Sequence, residues 1–419
     1  MDNTFIINKW VLLAFMLFLN PIVINDYAMV CYAFIYGFPL AYLVLDRSFY
    51  NSFVRHIPLK ALYILMFCLI MLVLSVLVPA IHGTWDFSYI NVVLAVARKL
   101  LILLFLSSLI IKFHSNPKID YVLYYYALAT AIYVFGTCVF LAFPMLKESW
   151  KHFLGATDFI NNLYSSYGYA ARFGWSGFSG YRNTLDCTLS VTFLVYLKTK
   201  KESINTNNIV FYLVLSFCIL GNLFYGRLGF IVSLICVLIG LLYTRKINTK
   251  SILIILAIVT VVVLILGYAI EKNKQLHEWF NWATIPLINF IKTGSFDNYS
   301  ANHLLNDMIF MPEASTLLFG DGLYTEPNST HHYMLTDSGF MRQILFWGIG
   351  GTIFSYFSYL YGLSQIYKKH IFLCFELLIT FIAFEIKGEV YFELLPLVII
   401  VIEWDHYLKR INSKYLSKA

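Results

Sequence analysis

Apolar runs, broken by short charged or turn-forming segments, recur along the whole chain and predict helices long enough to cross a lipid bilayer. They lie near 10–25, 27–45, 60–80, 89–111, 120–143, 184–197, 208–224, 226–243, 251–270, 338–363, 371–386 and 390–407. The runs at 10–25 and 184–197 are short for a hydrocarbon core, which leaves a tilted or partly re-entrant helix open at each. No internal repeat and no low-complexity tract interrupts the series.

Composition sharpens this pattern into a class. Of the 419 residues, 60% are hydrophobic and only 13% charged. A soluble domain is typically about 45–50% apolar and about 25% charged. Disorder, a secreted disulfide scaffold and a soluble nucleotide-binding fold are therefore excluded. The expected fold is an all-α polytopic integral membrane protein with about twelve transmembrane helices, forming a single transmembrane domain over 1–419. The seven cysteines lie in or beside apolar segments, so they read as small packing residues and not as metal ligands or disulfides. The run from Trp10 to Ile24 lacks a small-x-small cleavage site and reads as an uncleaved first span.

The net charge of +7 then gives an orientation and does not call for nucleic acid. With the N-terminus in the cytoplasm and the spans alternating, eighteen basic residues fall in cytoplasmic segments. Only five fall outside, the longest loop excluded. Both termini are thus expected inside. Two outside loops, 144–183 and 271–337, are too long to be mere connectors. The first is rich in glycine and aromatics and carries four basic residues against two acidic; the second carries eight acids against three lysines. Aromatics are too frequent in both for flexible tethers.

Three segments could carry chemistry. The first is Ala171-Arg172-Phe173-Gly174-Trp175-Ser176-Gly177-Phe178-Ser179-Gly180-Tyr181-Arg182-Asn183-Thr184. Its glycines let backbone N–H groups approach an anion, and its arginines can grip phosphate in two-pronged fashion. Arg182 also falls at a helix start, where the backbone field favours negative charge. The plainer reading is an interfacial anchor loop with Trp175 and Tyr181 at the headgroup level and Arg182 paired with Asp186. Second, Arg227 enters an uncharged helix after Tyr225-Gly226. Such an entry costs about 2.5–3.5 kcal/mol at a span centre and less near its edge, so Arg227 needs an anion or a wet cavity.

The third segment is Ser329-Thr330-His331-His332-Tyr333-Met334-Leu335-Thr336-Asp337-Ser338-Gly339-Phe340-Met341-Arg342-Gln343. His331 and His332 carry imidazoles, the side chain suited to general acid or base work near neutral pH, and could each act so. Asp337 or Ser338 can cap the helix that follows, and Arg342 lies one turn inside it. Adjacent histidines do not make metal-ligand spacing, so no metal is expected. The charges inside other spans, Arg98, Lys99, Glu376 and Glu385, are read as pairing across helices or as lining a cavity.

The run Asp337-Ser338-Gly339-Phe340-Met341-Arg342-Gln343-Ile344-Leu345-Phe346-Trp347-Gly348-Ile349-Gly350-Gly351 resembles the late-helix signature of bacterial O-antigen polymerases of the Wzy type. Gly180-Tyr181-Arg182-Asn183 is similar to their re-entry after the first large periplasmic loop, and Tyr225-Gly226-Arg227-Leu228-Gly229 to their arginine at a helix start. The O-antigen ligases are related. The resemblance covers roughly 144–363. It implies a C-type glycosyltransferase in the bacterial inner membrane that uses no cofactor and joins undecaprenyl-diphosphate-linked oligosaccharide units on the periplasmic face. Its substrate-binding residues are then Arg172, Arg182, Arg227 and Arg342, and its catalytic candidates His331, His332 and Asp337. Membrane lipid, a chain-length regulator and a flippase are the implied partners. The competing expectations are a ligase that transfers the chain to lipid A core and a non-enzymatic flippase for lipid-linked oligosaccharide. Flippases and other transporters commonly show repeated halves and broken helices around a midplane site, which this sequence does not display.

Overall fold

The computed structural model describes residues 6–155, 172–178, 181–200, 206–244, 302–327 and 331–416, with 277, 280–281, 291–292, 294 and 329. Among these residues the chain is almost wholly helical; its one sheet is a two-stranded ladder. Helix α1 is Lys9–Leu19, α2 the helical stretch Asn25–Leu45, α3 Leu59–His82, α4 Tyr89–Phe113 and α5 Ile119–Ala142. Then come α6 (Pro144–Leu154), strands β1 (Phe173–Gly174) and β2 (Gly177–Phe178), α7 (Tyr181–Thr199), α8 (Asn208–Tyr225) and α9 (Arg227–Thr244). The C-terminal part holds α10 (Ala314–Phe319), α11 (Gly339–Ile366), α12 (Ile371–Glu385) and α13 (Tyr391–Leu416).

Five of these helices, α2, α3, α4, α5 and α8, are long and apolar enough to cross a membrane. Helix α3 shows why a bilayer is their solvent. Its Leu62, Met66, Leu69, Val73, Leu77 and Ile81 are all exposed on a helix with hardly a polar group to offer water. The architecture is that of an all-α membrane protein. The expected span at 251–270 and most of the loop 271–337 before residue 302 lie outside the described residues.

The first expected span is shorter than the hydrophobic run around it. Helix α1 stops at Leu19 because Asn20 precedes Pro21, whose ring disfavours helical geometry in the residue before it. The helix is started by the Asn8 side chain, which accepts from the N–H groups of Trp10 and Val11.

The chain divides into two compact units. The first comprises 1–38 and 109–296. Its centre is α5, apolar on most of its circumference and buried along most of its length. Helices α1, α7 and α8 pack on α5, and α9 packs on α7 and α8. Helix α7 is the unusual member: Asn183, Thr184, Asp186, Thr188, Ser190 and Thr192 are all buried. Several satisfy themselves locally. The Thr188 hydroxyl donates to Thr184 O at 2.9 Å and the Ser190 hydroxyl to Asp186 O at 2.8 Å.

The second unit comprises 39–108 and 297–419. Helix α11 packs on α3, α10, α12 and α13. Its regular path breaks at Gly348, where φ is +70°. A Cβ there would lie 2.4 Å from Leu318 O, and one on Gly320 would lie 2.4 Å from Phe346 O. The segment after α10 thus presses its backbone into the break, and the Asp321 N–H is received by Leu345 O at 2.7 Å. Only glycine fits at either position. Lys99, in the middle of α4, pairs with Glu393 at 2.7 Å, while Arg98 donates to Asn91 O at 2.8 Å. Glu385 is held by the Tyr356 hydroxyl and the Val390 N–H, at 2.9 and 2.8 Å. These three charges serve structure. The cysteines remain thiols, and Cys187, Cys218, Cys236 and Cys374 are buried as packing groups.

Candidate functional site

In the second unit the break in α11 decides where residues 321–337 run. Held at Asp321, the chain turns through Gly322 and folds back on itself. Thr325 bridges His332, Tyr333 N–H donates to Tyr324 O at 3.1 Å, and Glu326 N–H donates to His331 O at 2.9 Å. The loop between α3 and α4 clamps this segment. Asp86 Oδ2 accepts the N–H groups of Tyr324 and Thr325 at 2.7 and 2.8 Å, together with the Thr325 hydroxyl at 3.1 Å. Burial raises the Asp86 carboxyl, but the bonds from Ser88, Thr325 and Tyr324 outweigh it and leave the carboxyl below its ordinary range. Thr84 completes the clamp by donating to Gly322 O at 2.7 Å.

Behind the segment lies a buried polar network. The Arg342 guanidinium lies over the Tyr324 ring, 4.6 Å from its centroid, and Nη2 meets the Tyr324 hydroxyl. The same nitrogen donates to His332 Nδ1 at 3.0 Å and stands 3.9 Å from Glu389 Oε2. Tyr324 donates to Glu389 Oε2 at 2.6 Å, and Gln343 donates to Oε1 of the same carboxylate. Tyr89 donates to Gln343 Oε1 at 2.8 Å and stacks on Phe346 with centroids 4.5 Å apart. Burial pushes the Glu389 carboxyl up, against the pull of Arg342 and of the Tyr324, Tyr89 and Gln343 side chains, the Tyr89 hydroxyl lying 3.3 Å from Oε1. His332 is pushed down to about 4, first by burial and then by Arg342 beside it, so at neutral pH it is uncharged. With Nδ1 accepting from Arg342, its proton sits on Nε2. The Arg342 Nε is buried and has no partner among the described residues.

The outer side of the folded segment borders an open cleft of about 750 Å³. Thr84, Asp86, Thr325, Glu326 and Ser329 give it a polar lining, and Leu323 and Pro327 an apolar wall.

His332 and Arg342 therefore meet, while His331 and Asp337 are exposed on the same segment. The expected side-chain cap on α11 is not formed. Ser338 is the N-cap residue, but its hydroxyl makes no capping bond, and its N–H is taken by Thr336 Oγ1 at 3.2 Å.

The remaining sequence-predicted residues belong to the first unit. Arg172 stands half-buried just before β1, Arg182 is exposed in the first turn of α7, and Arg227 is the first residue of α9. Helices α7 and α9 run parallel. At one end a Cβ on Gly229 would lie 2.3 Å from Thr184 Cγ2, and further along the Thr192 hydroxyl donates to Cys236 Sγ at 3.7 Å. Arg182 and Arg227 thus sit at the same end of two touching helices, both at N-termini. Trp175 is not an outward anchor. Its ring packs against Tyr133 at 4.7 Å, and its indole N–H donates to Asn20 O at 3.0 Å. Asp186 accepts the Tyr126 hydroxyl inside the unit.

Sequence reasoning missed Asp86, Tyr89, Tyr324 and Glu389. Tyr324 is one of 31 tyrosines with no distinguishing spacing, and Glu389 falls between two apolar runs, where a charge reads as a solvated turn. Gln343 lay in the segment singled out, next to Arg342, but was given no role. No protein-family model matches the chain, and no curated protein or solved structure matches it.

Proposed function

We propose that the protein is a membrane glycosyltransferase of the polysaccharide-polymerase type, acting on undecaprenyl-diphosphate-linked repeat units. This reading takes the chain to cross a bacterial inner membrane about twelve times with both termini in the cytoplasm. Loops 144–183 and 271–337 would then face the periplasm. The observation that carries it is the paired start of α7 and α9. Two parallel helices bring two positive backbone ends together, and each presents an arginine, Arg182 or Arg227. Such an arrangement suits a leaving diphosphate, whose negative charge grows as the glycosidic C–O bond breaks. Arg172, before β1, is a third cation of the same unit. In the second unit Arg342 is a rigidly held guanidinium whose buried Nε still lacks a partner among the described residues.

The reaction needs no nucleotide sugar. An acceptor hydroxyl attacks the anomeric carbon of the donor, undecaprenyl diphosphate departs with the bonding pair, and the hydroxyl proton passes to a base. Diphosphate leaves readily, so positioning and charge stabilisation carry most of the rate. His331 and Asp337 are exposed and open to an acceptor, whereas His332 spends Nδ1 on Arg342.

The test is deletion of the gene in its own host, complementation with variants and display of surface polysaccharide on a gel. Arg182→Ala and Arg227→Ala should each reduce the ladder to single repeat units while the protein stays in the membrane. A normal ladder from both would overturn the reading. A ladder lost together with all capped lipid, single units included, would favour the ligase.

A further inference from the structure

The cleft beside Asp86 and the 321–329 segment is not used by the chemistry above. Its polar lining consists of three hydroxyls, Thr84, Thr325 and Ser329, and two carboxylates, Asp86 and Glu326; among the described residues no lysine or arginine lines it. Asp86 is fully engaged in clamping, and one Glu326 oxygen accepts the Met334 N–H at 2.7 Å. The lining nevertheless offers spare acceptor positions, since each hydroxyl and the other Glu326 oxygen have lone pairs beyond those bonds. Phosphates and uronic acids would meet two like charges there, with no cation among the described residues to offset them. Polyhydroxylated, uncharged ligands would not.

A second feature lies in the same loop. Trp85 stands in sequence between two lining residues, Thr84 and Asp86, and is 66% exposed. Its backbone has φ +56°, and the other non-glycine residues with positive φ among the described residues are Met334 and Leu335, at +53° and +52°. All three lie on the segments that Asp86 and Glu326 tie down. Strain of this kind costs on the order of 1–3 kcal/mol per residue and persists where the surroundings over-determine it, commonly around ligand sites. A volume of about 750 Å³ falls within the usual range for small-molecule clefts.

We infer that this cleft binds an uncharged saccharide, with the Trp85 indole stacked on a sugar ring and the hydroxyls and carboxylates of the lining receiving and donating its hydrogen bonds. A flat aromatic face meets the C–H side of a pyranose ring, while hydroxyl and carboxylate acceptors meet its rim of O–H groups. The inference deepens the proposed function and rests on it in one respect: the bound sugar is the non-reducing end of the acceptor repeat unit.

The test uses the full chain in lipid nanodiscs on a printed panel of neutral, amino-bearing and uronic-acid oligosaccharides. Binding is expected to neutral members and to be absent from uronic acids. Trp85→Ala should weaken it about ten-fold and Trp85→Phe about two- to three-fold, both remaining monodisperse and thermally like the parent. Glu326→Gln keeps an oxygen for the Met334 N–H while removing the charge. It should retain neutral ligands within about three-fold and admit uronic acids. No binding to any member, binding confined to acidic members, or equal affinity in parent and Trp85→Ala would each overturn the inference; the last would make Trp85 a bilayer anchor. The readout involves no transfer step, so it separates the two proposals. Saccharide binding with a normal ladder from Arg182→Ala and Arg227→Ala would sink the polymerase reading alone.

Discussion

Arg342 and Glu389 face one another at 3.9 Å across the Tyr324 hydroxyl, which touches both. Their side chains are only 10% and 4% exposed, so the pair and its tyrosine form a buried unit that water does not screen. Removing one member leaves the other's charge or dipole unmet, which costs more than the pair contributes as a whole. Arg342→Ala should therefore destabilise the protein by about 3–5 kcal/mol. Glu389→Gln removes the charge and keeps one acceptor oxygen, enough for Tyr324 or for Gln343 but not for both, and should cost roughly 1–3 kcal/mol. A double-mutant cycle on thermal unfolding in detergent measures the coupling. Additive losses would show that Arg342 and Glu389 are not energetically coupled.

The meeting of Gly320 and Gly348 makes a sharper prediction, because it comes with its own control. Both residues have positive φ, near +70°, and at each a Cβ would penetrate backbone of the other's segment. Backbone cannot rotate away as a side chain can. Gly320→Ala and Gly348→Ala should each cost about 2–4 kcal/mol and loosen residues 321–337, read as faster amide exchange there. Gly350, two positions on in the same helix, has open space around its Cβ position, and Gly350→Ala should be neutral or slightly stabilising. Equal effects at 348 and 350 would mean the break in α11 is not fixed by this contact.

Acid should loosen the same segment. His332 ordinarily titrates near 6.5 and is held down to about 4 by burial and by Arg342. Between those values the unfolded or opened segment takes up a proton that the packed one refuses. Stability of the packed state is thus full above about 6.5 and falls as pH drops toward 4. Limited proteolysis of residues 321–337 across that range should accelerate with acid, and His332→Gln should flatten the response. A parent protein equally resistant at pH 4.5 and pH 7.5 would remove His332 as the sensor.

How much of this was readable in the chain depends on what kind of order is involved. Helices such as Ile119–Ala142 and Asn208–Tyr225 follow the apolar runs within a residue or so, because hydrophobic length is a local property. The stop at Leu19 was also local, but it needed the proline at 21 to be weighed above the hydrophobicity that continues past it. The break at Gly348 was invisible for another reason. A glycine in an apolar helix reads as a small packing residue until Gly320, 28 positions earlier, is known to press against it. The same holds for Lys99, whose partner Glu393 lies 294 positions away, and for the Tyr324–Glu389 bond, which spans 65. Arg342 and His332 were found because their segment is locally unusual. The residues that hold them were not, because nothing local marks them.

The last prediction concerns the proton of the proposed transfer. Asp337 competes for two roles on sequence grounds, helix cap and base, and a substitution could not tell them apart if it capped. The structure removes that confusion: Ser338 is the N-cap residue, no side chain caps α11, and no hydrogen bond holds the Asp337 carboxylate among the described residues. Asp337→Asn should therefore leave the melting temperature unchanged. If Asp337 is the base, the variant should slow chain extension by about 10²–10⁴-fold, measured on lipid-linked repeat units in membrane vesicles. His331, exposed beside it, is the alternative, and His331→Ala should show the same kinetic loss with the same unchanged stability if the proton goes there. His332→Ala should differ from both in kind. It removes an acceptor from Arg342, so its effect should appear in melting temperature as well as rate. Full-speed extension by a variant lacking both His331 and Asp337 would mean that no base from this segment takes part, and that the rate rests on positioning and diphosphate stabilisation.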